Sequence, residues 1–398
     1  MRYASIVPLI GGATIAMQNV LQKKPEYILS YEDFEANDNH LVEYYKRKIP
    51  YYLYGDNRIS NLPSVEIINT VCPCAGLSSL SPTANSDAAV NDWMLTTSNF
   101  VLDSLKPQVF WGENAPGLAS NIGRPVVKKL RKIAQKFGYT FSIYKTRSIL
   151  HGLGQVRNRT FYFFWQGDKV PQFEYIRREH EKIEDTIRSV ERRSDDPMNI
   201  LANNDIPSQN PFYRYVLEIM CGGMKHKEFQ DKLTRSQNAM DYIEWNGGNY
   251  KDVAKWMFKQ GYTKIAERCE VIHKKLSEGG NIMRKICHFP KGTIGAFVGH
   301  MPKNLTHPDD DRYLTLRECL SIMGLPKDFI LQGGVKNLNH ICQNVPVTTA
   351  QDMAVHVEKF VDGRLSNQLI DTDFLIQDNT NHKLNFEKNS VQLDAFMV

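Results

Sequence analysis

The segment IVPLIGGAT (Ile6–Thr14) decides the fold, because an apolar run ends there in a glycine pair and a helical pattern follows. A strand, a glycine turn and a helix in this order begin a parallel sheet wrapped by helices, and the residues up to Trp165 repeat the alternation. We therefore predict an α/β fold with a doubly wound, Rossmann-like sheet. About seven strands are expected, at Ile6–Ile10, Tyr27–Ser30, Tyr51–Tyr54, Val65–Val71, Gln108–Trp111, Thr140–Tyr144 and Thr160–Trp165.

The composition is that of a folded protein with a mildly positive net charge. Of 398 residues, 42% are hydrophobic and 23% charged, which excludes wholesale disorder. No apolar run approaches the roughly 18 residues of a membrane span, and no secretory leader is evident, so we expect a cytoplasmic protein without membrane contact. Seven cysteines without a Cys-x-x-Cys pair argue against disulfides and against a metal site. The net charge of +5 permits a nucleic-acid partner.

The composition shifts after Trp165, and the stretch Tyr213–Leu276 is mostly helical in pattern. We predict a cofactor-binding and catalytic domain at residues 1–165, a second, smaller domain at 166–302, and a return segment at 303–398 that completes the first domain. Between Arg124 and Arg159 the chain carries ten Lys or Arg and neither Asp nor Glu. That block could bind a phosphate backbone, although five of its members read better as the solvated face of one helix: Lys128, Lys129, Arg131, Lys132 and Lys136.

Polar residues follow the first three predicted strands, at the edge where open α/β sheets bind ligands. Gly11 and Gly12 follow the first strand, Glu32 follows the second, 21 positions after Gly11, and Asp56 follows the third. A glycine turn lets backbone amides approach a ligand, and a carboxylate at this spacing binds ribose hydroxyls. Asp56 is placed to accept a hydrogen bond from an adenine amino group. Together these residues predict a site for an adenosine-containing cofactor, although singly Glu32 and Asp56 could be ordinary exposed carboxylates.

Candidate reactive groups follow the next strands. Cys74 lies on a tight Pro/Gly turn after the fourth strand, and Glu113 ends the fifth, which suits a nucleophile paired with an acid. Arg157 and Arg159 approach an aromatic strand at positions i and i+2, so they point the same way and can hold an anion or a carbonyl oxygen. Cys72, His151 and the aromatic residues around Trp165 are interpreted as structural.

In this order the motifs resemble the DNA cytosine-5 methyltransferase family: glycine turn, acid, Gly-Asp, Pro-Cys, Glu-Asn and Gln-x-Arg-x-Arg. Arg312–Glu318 with Gly324–Phe329 is similar to the family's ninth motif, and Asn344–Val347 to its tenth. The resemblance covers residues 1–165 and about 300–360 and implies that the segment between them is the target-recognition domain. Two departures concern the cofactor. Val7–Gly11 replaces Phe-x-Gly-x-Gly, and Cys342–Asn344 stands where the family has Gly-Asn and a small residue.

The resemblance implies methyl transfer from S-adenosylmethionine to carbon 5 of a flipped cytosine in double-stranded DNA, through a covalent adduct of Cys74. Glu113 would act at ring nitrogen 3, Arg159 would hold the carbonyl oxygen, and Arg157 would support the thiolate or a phosphate. The implied cofactor-binding residues are Leu9, Ile10, Gly11, Gly12, Glu32, Asp56, Pro73, Asn344 and Val345, and the implied DNA-binding residues are Ser78, Gln155 and Arg157.

We expect a monomer that binds double-stranded DNA, with a cognate restriction nuclease as a candidate partner. Three alternatives stay open. The same fold could act on tRNA cytosine, although an insert of ~130 residues favours a reader of duplexes. Lys336 and His340, near the tenth motif, could favour a carboxylated S-adenosylmethionine and hence a larger alkyl group. A catalytically silent DNA-binding relative is the third, and the presence of Cys74, Glu113 and Arg159 argues against it.

Overall fold

The computed structural model of the protein describes residues 1–73, 75–77 and 85–380. The chain forms two compact units. Unit 1 consists of Met1–His180, Met323–Gln332 and the chain from Gln343 onward, and unit 2 consists of Glu181–Ile322 and Gly333–Cys342.

The described residues form twelve strands and fourteen α-helices. The strands are β1 Tyr3–Ile6, β2 Ile28–Ser30, β3 Tyr51–Leu53, β4 Ile67–Thr70, β5 Val109–Asn114, β6 Tyr139–Arg147, β7 Asn158–Gln166, β8 Val170–Pro171, β9 Gln237–Asn238, β10 His288–Phe289, β11 Leu369–Ile370 and β12 Phe374–Asp378. The helices are α1 Gly12–Leu21, α2 Glu35–Tyr44, α3 Asp92–Phe100, α4 Arg124–Phe137, α5 Ile183–Arg188, α6 Pro211–Tyr215, α7 His226–Lys232, α8 Ala239–Trp245, α9 Tyr250–Lys259, α10 Thr263–Ser277, α11 Met301–Asn304, α12 Leu316–Ile322, α13 Leu338–Gln343 and α14 Val347–Val361.

Eight of the described strands form the central sheet of unit 1, in the order β12-β6-β7-β5-β4-β1-β2-β3. Neighbours run parallel except at β7, which pairs antiparallel with both β5 and β6. From β1 the chain moves outward to β2 and β3 and then returns to β4 on the other side of β1. Right-handed crossovers in opposite directions place helices on both faces of a sheet. The predicted doubly wound, Rossmann-like fold is therefore confirmed. Ligands are expected outside the carboxyl ends of β1 and β4, where the connections that follow the two strands turn in opposite directions.

Apolar residues buried on both faces explain why the central strands form. Along β5 and β7, Trp111 stacks on Phe163 with ring centroids 6.1 Å apart, and Phe163 stacks on Trp165 at 5.1 Å. All three rings are buried. Strands that are buried on both faces of the sheet have continuous apolar sequences, which is why these strands can be predicted from the sequence. The interpretation of Trp165 as a packing residue is confirmed.

Two expectations about strands were wrong. The first strand ends at Ile6 rather than at Ile10, because Val7 and Leu9 adopt positive φ angles and turn the chain out of the sheet. An eighth strand, β12, was not expected. It pairs with β6 from Phe374 to Asp378 at the sheet edge.

The unit boundaries differ from the expected domain boundaries. Unit 1 extends to His180 rather than ending at Trp165, and the short strand β8 within that extension pairs with β11 of the same unit. Residues 303–322 and 333–342, expected in the return segment, lie in unit 2.

The basic helix predicted after Arg124 is α4. Its Lys128, Lys129, Lys132 and Lys136 are exposed. Arg131 instead pairs with Asp373 at 3.2 Å and lies over the ring of Phe374. The solvated-face interpretation therefore holds for the four lysines, whereas the arginine secures the helix to the edge of the sheet.

Unit 2 is mainly helical and has its own core of buried apolar side chains from α6 to α10. Helix α12 begins with a reciprocal cap, in which Thr315 N–H donates to Glu318 and Glu318 N–H donates to Thr315 Oγ1. Arg312 pairs with the same carboxylate at 2.7 Å. This part of the ninth motif thus starts a helix. None of the helices in the described part of the chain has the length and apolar content that crossing a membrane requires.

Candidate functional site

The loops after β1 and β4 lie side by side because the two strands pair in parallel register, with Ile6 opposite Thr70. Val71 N–H donates to Val7 O at 3.1 Å just beyond the last pair. Below this edge, Ser5 Oγ lies 2.8 Å from Thr14 Oγ1 and 2.8 Å from Asn69 Oδ1. This buried polar cluster ties α1 to both strands, so the glycine turn at the start of α1 is held rigidly at the sheet edge.

The structure brings four predicted cofactor-binding residues together. Gly12 N–H donates to Asn344 Oδ1 at 2.8 Å, and a Cβ on Gly12 would lie only 2.1 Å from Val345 O. Gly11, with φ of +98°, is packed against Leu41 so closely that a Cβ would meet its methyl group at 2.4 Å. Both glycines are therefore required by close approach, and residues more than 300 positions apart share one loop cluster.

Glu32 and Asp56 emerge from the sheet beside a group of aromatic rings. Glu32 is exposed directly after β2. Asp56 accepts hydrogen bonds from the backbone and guanidinium of Arg58, which lower the pKa of its carboxyl to about 2. Tyr31 precedes Glu32, and its ring centroid lies 4.7 Å from that of Trp93 and 5.2 Å from that of Tyr54. Carboxylates beside partly open aromatic rings are a chemical set that fits a nucleoside.

Sequence reasoning missed Trp93 and Asp38. Trp93 lies on α3 and is half-buried. Asp38 is buried on α2, and its Oδ1 accepts a hydrogen bond from Leu9 N–H at 3.0 Å. Ile10 is buried in the same loop. Neither position carries a motif, and a carboxylate within an amphipathic pattern usually indicates a solvated face.

Of the predicted nucleophile loop, the structure describes Pro73, while Cys74 and Ser78 lie outside the described residues. Residues Ala75–Leu77 form a short 3₁₀ turn. A Cβ on Gly117, which follows β5, would lie 2.1 Å from Leu77 O. The segment that ends at Leu77 is therefore packed against the loop after β5, the strand that carries Glu113.

Glu113 and Arg159 form a buried ion pair. Glu113 lies on β5 and Arg159 on β7, and the guanidinium Nε contacts Glu113 Oε1 directly, with side chains 4% and 13% exposed. Burial raises the pKa of the Glu113 carboxyl, while the positive charges of Arg159 and Arg157 oppose the rise. A carboxyl whose pKa is raised by burial can hold a proton and give it to a substrate, which is the property of a general acid.

Arg157 and Gln155 lie deeper than expected. Arg157 is 1% exposed, and its guanidinium donates to Asn344 O at 3.0 Å, which connects the Gln-x-Arg-x-Arg segment to the tenth motif. Gln155 is fully buried, and its amide lies 3.6 Å from Met323 Sδ. This burial argues against direct contact of either side chain with DNA and favours supporting roles for both.

The residues interpreted as structural are buried. Cys72 lies two residues after β4 with its Sγ 3.4 Å from Thr70 Oγ1, and burial raises the pKa of its thiol. His151 bridges Thr146 Oγ1 at 2.7 Å and Asp352 Oδ2 at 2.8 Å. Within the described ranges, no group of three or more His, Cys, Asp or Glu side chains could hold a metal ion.

Comparison with known proteins gives one consistent result. The family model of C-5 cytosine-specific DNA methylases matches residues 1–359. Type II methyltransferase M.MthTI of Methanothermobacter thermautotrophicus is 23% identical over 268 residues, which cover 65% of this chain and 68% of that protein.

Two solved structures are similar in fold. A protein named as a DNA modification methyltransferase encoded within an E. coli prophage has a TM-score of 0.58 at 13% identity, over 91% of this chain and 99% of that one. Entamoeba histolytica methyltransferase EhMeth has a TM-score of 0.53 at 13% identity, over 91% and 98%.

Proposed function

The chain belongs to the C-5 cytosine-specific DNA methylase family, and from that premise we propose that it transfers a methyl group from S-adenosylmethionine to carbon 5 of a flipped cytosine in double-stranded DNA. Unit 1 carries out the chemistry. Unit 2 serves as the target-recognition domain, which chooses the sequence. The buried pair of Glu113 on β5 and Arg159 on β7 is the observation that most supports this function.

The pair suits the electronic problem of the reaction. Carbon 5 of cytosine is a poor nucleophile until electron density enters the ring. The Cys74 thiolate adds to carbon 6 while Glu113 gives a proton to ring nitrogen 3, which leaves an enamine with a nucleophilic carbon 5. Arg159 holds both the Glu113 carboxyl and the cytosine carbonyl oxygen. After transfer, a water molecule takes the carbon 5 proton, the Cys74 thiolate leaves carbon 6 as the ring double bond forms again, and ring nitrogen 3 returns its proton to Glu113.

S-adenosylmethionine, when bound, supplies an electrophilic methyl group. The chain's own residues would bind it through Glu32 at the ribose and through the half-buried ring of Trp93, which packs against Tyr31, at the adenine. This ring offsets the loss of the first motif's aromatic residue. Asp56 would accept from the adenine amino group, and Gly12 with Asn344 would shape the other end of the site.

A covalent-trapping experiment tests the mechanism. The chain is expressed in a bacterial host that lacks cytosine methylation, and bisulfite sequencing of the host DNA gives the target site. A duplex with 5-fluorocytosine at that site, incubated with S-adenosylmethionine, should then form an adduct that survives denaturing electrophoresis, because after methyl transfer fluorine cannot leave carbon 5 as a cation. Cys74→Ser should abolish the shifted band, and the matched control Cys72→Ser should keep it. Loss of the band in the control alone would show that Cys72 is the nucleophile.

The same preparation distinguishes the alternative substrates and donors. Methyl transfer to tRNA but not to duplex DNA would refute the proposed substrate, and transfer to neither would indicate a silent relative. Mass spectrometry of digested product should find 5-methylcytosine. A heavier, acidic adduct on cytosine would instead show that the donor is carboxylated.

A further inference from the structure

A strained loop follows β1, at the place where the family's first motif carries a glycine. Leu9 stands in place of that glycine and has φ of +51°, and Val7 has φ of +48°. Both angles lie in the left-handed region, which residues with a β-carbon rarely adopt. Such a conformation persists only where surrounding contacts stabilise it.

Different contacts hold the two residues. The backbone of Val7 is bonded to its neighbouring segments, since its N–H donates to Leu29 O at 2.9 Å and its carbonyl accepts from Val71 at 3.1 Å. The N–H of Leu9 donates to a side chain, the Oδ1 of Asp38, at 3.0 Å. Asp38 is fully buried, and its Oδ2 accepts from the Tyr51 hydroxyl at 3.3 Å. A buried carboxylate is costly unless it accepts hydrogen bonds, and Leu9 and Tyr51 donate to both oxygens of Asp38.

Helix α2, which carries Asp38, contacts both segments that depart from the family pattern. Its Leu41 packs against Gly11 of the first-motif loop. Its Asn37 lies with Nδ2 3.4 Å from Oε1 of Gln343, the residue that replaces the family's asparagine in the tenth motif. Asp38 lies between these two contacts along the helix.

We infer that Asp38 is a positioning residue for the cofactor: through the N–H of Leu9 it holds the loop Val7–Gly11 in the shape that binds S-adenosylmethionine. A glycine would adopt this left-handed conformation without strain, whereas Leu9 needs the hydrogen bond to Asp38 to stabilise it. This inference rests on the proposed function, because the loop is expected to meet the donor. It predicts that Asp38 becomes dispensable once glycine is restored at position 9.

The test measures binding of S-adenosylmethionine to the full chain by calorimetry, with duplex-DNA binding as the parallel readout. Asp38→Ala should weaken donor binding at least tenfold and leave DNA binding within about twofold. Asp38→Asn keeps an acceptor oxygen and should stay within about threefold of wild type. Adding Leu9→Gly to Asp38→Ala should recover most of the affinity, whereas adding Leu9→Ala should not, because alanine keeps the left-handed cost.

Asp352→Asn is the matched control, since Asp352 is equally enclosed but accepts from His151 and Arg178. It should leave donor affinity unchanged. If Asp38→Ala does not fold, Asp38→Ser carries the same comparison with and without Leu9→Gly. Donor affinity unaffected by Asp38→Ala, or equal recovery by Leu9→Gly and Leu9→Ala, would overturn the inference alone. Wild-type chain that binds no S-adenosylmethionine would overturn the proposed cofactor and this inference together.

Discussion

Replacing Arg159 by alanine should destabilise unit 1 in a strongly pH-dependent way. In the native chain the guanidinium of Arg159 opposes the rise that burial causes in the pKa of the Glu113 carboxyl, which is only 4% exposed. Its removal leaves two alternatives: an unpaired buried charge, which costs about 3–5 kcal/mol, or a protonated carboxyl. Without the guanidinium the folded pKa of Glu113 rises further above its unfolded value. The fold then loses stability as the pH rises toward that pKa.

The size of the effect follows from the cost of holding the carboxyl neutral. With an unfolded pKa of about 4.3 and about 1.36 kcal/mol per pH unit, protonation costs about 1 kcal/mol at pH 5 and about 5 kcal/mol at pH 8. At each pH, Glu113 takes whichever of the two forms costs less, the unpaired charge or the protonated carboxyl, and that cost sets the loss of unfolding free energy. Because burial already raises the pKa of Glu113 in the native chain, these costs are upper limits, and we expect Arg159→Ala to lower the free energy of unfolding by up to about 1 kcal/mol at pH 5 and by up to about 3–5 kcal/mol at pH 8.

Urea unfolding followed by circular dichroism at both pH values measures this loss. The double variant Arg159→Ala with Glu113→Gln removes the titrating group, so its loss relative to Glu113→Gln should be nearly the same at pH 5 and pH 8. An equal loss for Arg159→Ala at the two pH values would show that Arg159 acts through packing alone, and the interpretation of the pair as an acid held by its partner would be wrong.

Three further outcomes are expected. Glu113→Gln should retain duplex binding but slow methyl transfer by about two to four orders of magnitude, as measured by single-turnover kinetics, because a positioned acid is lost; a rate near wild type would remove Glu113 from the mechanism. Gly12→Ala should weaken donor binding more than tenfold in calorimetry, since its Cβ would lie 2.1 Å from Val345 O; unchanged affinity would mean that this loop does not contact the donor. The affinity for duplex DNA should fall with salt by roughly 0.9 logarithmic units per phosphate neutralised, and a flat response in filter binding would contradict DNA as the substrate.

The fold and the order of the motifs could be predicted because their signals are local. Strands such as β5 and β7 are buried on both faces, so they appear as unbroken apolar and aromatic runs. The chain order of these runs, combined with the handedness of crossovers, leaves few sheet topologies. The first strand was misplaced because Val7–Ile10 is as apolar as a strand although it forms a turn. Edge strand β12 was missed because it lies about 200 residues from the rest of the sheet.

The amino-acid order alone thus determines an α/β sheet, the family, and the residue types at the ends of its strands. The tertiary structure decides which side chains meet. Asn344 reaches Gly12 from the far end of the chain, Asp38 supports Leu9 from a helix without a motif, and Gln155 turns inward. These contacts depend on the packing of helices against the sheet over long sequence separations. A pattern of neighbouring residues carries hydrophobic periodicity, but it does not carry the distance between two polar atoms, and that distance sets their chemistry.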